Sequence, residues 1–193
     1  MGLFNKLLKS NAKVKTNNFG QRLDRLTPEG ELPWGWIYEN RDFVKDVEQE
    51  YKIFFDSWIS AKRESVKVRY AALKSLVLYT EDIKSLCAKK GECFARWASI
   101  NVADDSMLEE LKNELKYIED HRAELEEKYE MEQRIQKQLP GIVRDNPGIL
   151  QTEVYKMFPT DYKSYVSSEL HRMEREGKII REKNGRTYSL KLK

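Results

Sequence analysis

Apolar residues recur at offsets of three and four over most of this chain, the spacing of amphipathic helices, and change to strict alternation only near the C-terminus. From Asn40, a residue suited to cap a helix, Phe43, Val44, Val47, Tyr51, Phe54, Phe55, Trp58 and Ile59 form one wide stripe. A second helix is predicted from Ser65 to Lys89, burying Val66, Tyr70, Leu73, Leu76, Val77, Thr80, Ile83 and Leu86, with Gly91 as its stop. The segment "ECFARWASI" follows as a short helix that turns Phe94, Trp97 and Ile100 back onto the pair. After "NVADDS", Asp105 or Ser106 is predicted to cap a long helix in which Leu108, Leu111, Leu115, Ile118, Leu125, Tyr129 and Leu139 approximate a heptad. About thirty residues of helix span about 45 Å, more than one small core covers. The long helix over 106–139 therefore reads either as part of an antiparallel bundle or as the seam of a coiled-coil homodimer.

The ends of the chain follow other patterns. Asn17-Asn18, Gly20, Pro28, Gly30, Pro33 and Gly35 make the first 39 residues mostly irregular and basic. Within them Trp34, Trp36 and Tyr38 alternate in "LPWGWIYEN", an arrangement read as cover for a core. Leu3, Phe4, Leu7 and Leu8 can form one face of a short helix docked on the protein's own core, and Lys6 stands where a myristoylation signal needs Ser or Thr.

Beyond Leu139, "PGIVRDNPG" closes a helix and turns. "ILQTEVYKMF" is predicted as a short helix with Ile149, Leu150, Val154, Met157 and Phe158 buried, stopped by Pro159. A third helix runs from Tyr162 to Glu176, with Tyr162, Val166, Leu170 and Met173 inward and Gly177 as its stop. "GKIIREKNGRTYSL" then alternates about Asn184-Gly185, a strong two-residue hairpin signal. This loop sets Lys183 opposite Arg186, Glu182 opposite Thr187, Arg181 opposite Tyr188 and Ile179 opposite Leu190. Ile179, Leu190 and Tyr188 close the core, Tyr188 covers the stem of Arg181, and Ile180 faces the other way. The opposed charges at the tip cost some tenths of a kcal/mol unless a phosphate bridges them. The predicted class is mainly α, with a helical bundle over 40–138 and a unit of three helices plus a hairpin over 139–193.

Composition narrows the function. Of 193 residues, 40% are hydrophobic and 35% charged, and no run of about eighteen apolar residues exists, so a membrane partner is not expected and a cytoplasmic protein is. Cys87 and Cys93 lack zinc spacing, and His121 and His171 lack acidic or thiol partners at a useful offset. Without a glycine-rich phosphate loop or nucleophile motif, no catalytic residue, metal or cofactor is expected, and runs such as "EDHRAELEEKYEMEQ" read as solvated helix faces. Charge is uneven: residues 41–139 hold eighteen Lys/Arg against twenty-one Asp/Glu, whereas 140–193 hold eleven against seven. The C-terminal excess suits an anionic partner.

"NPGILQTEVYKMF", "SYVSSELHRMEREGKIIRE" and "NGRTYSL" together resemble the winged-helix domains of bacterial transcription regulators, over little more than a quarter of the chain. The segments "ELPWGWI" and "YAALKSLVLYTEDIKSLCAKKGECF" resemble a region of uncharacterised bacterial proteins and imply no chemistry. The winged-helix resemblance implies a fold and a partner, double-stranded DNA. It makes the helix from Tyr162 to Glu176 the recognition helix, with Lys163, Ser164, Ser167, Ser168 and His171 as candidates for base contacts. Arg172, Arg175, Lys183 and Arg186 become candidates for phosphate contacts, which position the protein without specifying sequence. Glu169, Glu174 and Glu176 on the same helix oppose this reading, and the same scaffold also serves as a protein-interaction module.

Overall fold

The computed structural model describes residues 28–193, so the N-terminal helix expected from Leu3, Phe4, Leu7 and Leu8 lies outside the described residues. Contacts group the chain into two units, divided between Arg122 and Ala123. The protein is mainly α with a small antiparallel sheet near its C-terminus.

The aromatics of "LPWGWIYEN" lie on a short helix, α1 (Trp34–Glu39), rather than on irregular chain. Pro33 stands at its entrance, where no intrahelical N–H bond is lost. Helical spacing puts Trp34 and Tyr38 on the outer face, 47% and 75% exposed, and Leu32 and Ile37 cover the core in their place. Asn40 closes α1 instead of capping the next helix with its side chain: its Nδ2 donates to the Trp36 carbonyl at 2.9 Å. The predicted stripe then forms α2 (Arg41–Ala61), which buries Val44, Val47, Tyr51, Trp58 and Ala61 but leaves Ile59 exposed at its last turn.

Helix α3 (Val66–Asn101) contains the next two predicted helices, interrupted at Gly91, whose φ of 78° and ψ of −175° are not helical. The segment Pro28–Leu32 crosses this break. Leu32 N–H donates to the Lys90 carbonyl at 2.9 Å, and the buried Lys90 ammonium donates to the Pro28 carbonyl at 2.8 Å. A Cβ at 91 would fall 2.7 Å from Cγ of the exposed Glu31, whose side chain would have to swing aside. Cys87 and Cys93 on either side of the break are free, half-buried thiols, and burial above all pushes Cys87 up.

Helix α4 (Asp105–Asp120) is capped one residue earlier than predicted, by Asp104, whose Oδ1 accepts from Met107 N–H at 2.8 Å. It buries Leu108, Leu111 and Ile118. Tyrosines bind the three long helices to one another: Tyr79 donates to the Val47 carbonyl at 3.2 Å, and Tyr70 to Glu119 at 2.6 Å.

The predicted helix over 106–139 is two helices. His121, at φ −112° and ψ 21°, separates α4 from α5 (Arg122–Asp145). Only Ala123 is apolar between Ile118 and Leu125, so this turn has little to bury, and Glu119 and Asp120 oppose the helix dipole at its negative end. The stripe predicted as a dimer seam is divided accordingly. Leu108, Leu111 and Ile118 are buried in the first unit, and Leu139 in the second.

In the second unit Ile135, Leu139 and Val143 of α5 form one side of a single apolar cluster. The "ILQTEVYKMF" segment opens as a strand, β1 (Ile149–Leu150), before α6 (Gln151–Lys156), which contributes Val154, while Met157 is exposed. A 3₁₀ turn (Thr160–Tyr162) leads into α7 (Lys163–Arg175), whose Val166, Leu170 and Met173 reach the cluster. Gly177 N–H bonds to the Glu174 carbonyl and Lys178 N–H to that of Met173, the paired closure of a Schellman motif. β2 (Ile179–Asn184) and β3 (Thr187–Leu192) supply Ile179 and Leu190, and the sheet order is β1-β3-β2.

The hairpin register differs from the predicted one by two residues. Asn184 pairs with Thr187, Lys183 with Tyr188, Glu182 with Ser189, Arg181 with Leu190 and Ile179 with Leu192. The loop is therefore Gly185-Arg186, with glycine at φ 60° in its first position, where a primed turn needs a positive φ. This register takes Arg186 away from Lys183 and replaces a like-charge pair by Lys183 opposite an aromatic ring. A shift of two leaves every side chain on its predicted face, yet Tyr188 is 39% exposed and lies outside the core.

No helix among the described residues is long and apolar enough to cross a membrane. Leu170→Ala is expected to cost about 2–5 kcal/mol, the price of a fully buried leucine, and to lower amide-exchange protection across α7 and the hairpin. Gly91→Ala is expected to destabilise the first unit by about 1–3 kcal/mol through its positive φ alone. Denaturant unfolding followed by fluorescence of the four tryptophans, all of which lie in that unit, measures it.

Candidate nucleic-acid interface

Helical spacing sorts the nominated residues of α7 into three groups. Val166, Leu170 and Met173 are buried in the cluster. Tyr165, Glu169, Arg172 and Glu176 lie on the flank toward α5, where Gln136 Nε2 bonds to Tyr165 Oη at 2.6 Å and to Glu169 Oε1 at 3.4 Å. Ser164, Ser168, His171 and Arg175, spaced four, seven and eleven residues along, share the exposed outer stripe. Lys163 is also exposed, its ammonium 5.5 Å from the Tyr155 ring centre, whereas Ser167 is half-buried.

The hairpin reaches α7 through Arg181. On the core-side face of β2, its guanidinium donates to Glu174 at 2.9 Å, to Gln151 Oε1 of α6 at 2.8 Å, and contacts the His171 ring. Tyr188, diagonally across the hairpin, stacks its ring 4.3 Å from the guanidinium carbon, the predicted Arg181–Tyr188 contact reached through the other register. The Arg181 side chain is only 3% exposed, and its Nε is buried without a partner. The contacts to Glu174 and Gln151 are not announced by the local sequence, since Gln151 lies thirty residues from Arg181 and the groups become neighbours only when the hairpin folds against both helices.

Arg172, nominated for phosphate contact, is held inside the unit. It donates to Glu169 at 2.6 and 2.9 Å and to Glu176 at 2.7 Å. Lys178 and then Arg172 hold the Glu176 carboxyl below the usual carboxylate range, so this pairing is intact at neutral pH and is lost as acid titrates that carboxyl. His171 is turned against Arg181, and Ser168 Oγ donates to the Ser164 carbonyl of its own helix.

Pairing decides the surface charge. Of the seven carboxylates over 140–193, Asp145 binds Arg144, Glu169 and Glu176 bind Arg172, Glu174 binds Arg181, Glu182 binds Lys191, and Glu153 accepts from the Leu150 N–H. Asp161 remains, on the α5 side, where burial first and then Glu127, Glu132 and Asp161 raise the Tyr162 phenol. Among the described residues Arg175, Lys183 and Arg186 make no ion pair. Lys183 shares the Arg181 face of β2, two residues or about 7 Å nearer the tip, and Arg186 occupies the turn. Three unpaired cations and two serines thus lie along the α7 outer stripe and the hairpin.

Among the described residues, no three His, Cys, Asp or Glu side chains gather closely enough to hold a metal ion. No known family model, no curated protein and no solved structure matches this chain.

Arg181→Ala is expected to cost about 1–3 kcal/mol, because Gln151 loses a charged partner at a site with little water. Lysine at 181 should recover only part of it, since one ammonium cannot bind Glu174 and Gln151 in a planar fork. Chemical denaturation of the two variants beside Glu174→Gln, whose half-exposed carboxylate should matter less, measures the difference.

Proposed function

We propose that this protein is a cytoplasmic DNA-binding protein, a transcription regulator whose C-terminal unit works as a winged helix with α7 as its recognition helix and β2–β3 as its wing. One observation carries the reading: the carboxylates of this unit are spent on internal partners, while Arg175, Lys183 and Arg186 stay unpaired beside an outer stripe of small hydroxyls. Cations without internal partners attract phosphate and release its counterions, the main source of affinity for duplex DNA. Serines on the outer stripe leave space for a groove wall to approach the helix. Arg172 is no longer among the phosphate contacts, because Glu169 and Glu176 occupy its donors. A homodimer through 106–139 is not part of the proposal, since the break at His121 divides that stripe and its Leu108, Leu111, Ile118 and Leu139 are buried within the two units.

Replacing Lys183 and Arg186 together by alanine should weaken duplex binding about tenfold or more at low salt. It should also lower the slope of log affinity against log salt by about two, one for each lost phosphate contact. Both residues are exposed, so the circular dichroism melt should stay in place. Wild-type protein that binds no duplex at low salt sinks the proposal. Salt-insensitive capture of a protein partner by the same surface would move the unit to the interaction class.

A further inference from the structure

Sequence discrimination by a helix in a groove depends on side chains that make two hydrogen bonds to one base edge: arginine or lysine to guanine, asparagine or glutamine to adenine. The exposed positions of α7 hold few of these. Its outer stripe reads Ser164, Ser168, His171, Arg175, and Ser168 already donates to its own helix while His171 faces Arg181. Arg172 is the guanidinium in the middle of the helix, and three hydrogen bonds to Glu169 and Glu176 draw it to the α5 flank. Arg175 stands in the last turn, next to the Schellman closure, far from the N-terminal end that a recognition helix puts deepest into the groove. The α5 flank at that end faces Glu127, Glu132 and Asp161. At that end Lys163 is the single exposed cation, held over the Tyr155 ring, whereas the C-terminal end of α7 and the hairpin tip together carry three without an ion pair, Arg175, Lys183 and Arg186.

We infer, resting on the DNA-binding reading above, that the unit grips duplex DNA by its phosphate backbone with the hairpin tip leading, and discriminates little among base sequences. α7 braces the hairpin through Arg181 and lies along the duplex as a small-residue surface that fits many sequences. Glu169 and Glu176 are then positioning residues for selectivity, because they withhold the one mid-helix guanidinium able to read guanine.

Fluorescence anisotropy with two unrelated duplexes of about 20 base pairs, one rich in A·T and one in G·C, tests this on the full chain beside selection from a random-sequence duplex pool. Expected are affinities within about threefold of each other, no enriched motif, and a Ser164→Ala, Ser168→Ala variant within about twofold of wild type. Lys183→Ala with Arg186→Ala should lose about tenfold on both duplexes alike. Glu176→Gln, at a half-exposed position, should loosen Arg172 and raise affinity severalfold for both. A selected sequence bound about a hundredfold more tightly than the pool, with that preference lost in the serine variant, overturns the inference while leaving DNA binding intact. Binding of neither duplex at low salt removes the DNA-binding reading itself and this inference with it, so the two failures are distinct.

Discussion

The C-terminal unit depends on one buried guanidinium. A hairpin of two six-residue strands has too little apolar face to hold its own position, and Ile179 and Leu190 are its only buried apolar side chains. Arg181 supplies the remaining constraint. It stands between those two and the exposed tip, and binds Glu174 of α7 and Gln151 of α6 at distances of 2.9 and 2.8 Å. Burying this charge is costly, and the unpartnered Nε adds to the cost. Charge-assisted hydrogen bonds and the Tyr188 ring over the guanidinium carbon offset it. What the arrangement secures is direction: a hairpin held by apolar contact alone can slide, whereas a planar fork bound at two acceptors fixes its angle against both helices.

The same pairing sets the electrostatics. A net charge of four over residues 140–193 says little by itself, since eleven cations and seven acids can be arranged in many ways. Here the acids on α7 are taken up by Arg172 and Arg181, and Glu182 by Lys191 on the face of the hairpin away from the core. The positive excess is therefore displaced onto Arg175, Lys183 and Arg186. Exposed pairs of this kind contribute little stability. Their consequence is the field they leave, which is stronger along the hairpin side of α7 than on the α5 flank, where Asp161 and two glutamates of α5 surround Tyr162.

Much of the architecture was legible because burial enforces periodicity. The stripes over Val44 to Trp58, over Leu73 to Leu86, and at Val166, Leu170 and Met173 are buried as their spacing requires, and Gly91 and Gly177 stand at breaks a side chain resists. Periodicity fails where two solutions bury the same residues. Both hairpin registers put Ile179 and Leu190 inward, so the faces were readable but the partners were not, and avoidance of opposed Lys183 and Arg186 favours the observed one. It also fails where the pattern passes through a polar stretch: a heptad carried across Glu119 to Glu124 concealed the break at His121. Aromatic density also misled in "WGWIY": read as cover for a core, it forms a helix that places Trp34 and Tyr38, four residues apart, together on the outer face.

The candidate surface was legible in its residues and not in their availability. Arg172 and Arg175 are three residues apart, exposed by pattern, and equivalent in sequence as phosphate ligands. They differ because α7 turns about 100° per residue, which carries Arg172 to Glu169 and Glu176 on the α5 flank and leaves Arg175 on the outer stripe. The offsets of three and four that join Arg172 to its carboxylates are present in the sequence, and such pairs on an isolated helix are weak. What strengthens this one is Glu169, 7% exposed and braced by Gln136 across thirty-three residues of chain. A carboxylate fixed by its surroundings holds its partner more firmly than one free to rotate, because less side-chain entropy is lost on pairing. Whether a surface arginine is free thus depends on the tertiary packing of its partner, and that packing is absent from any local reading of the helix.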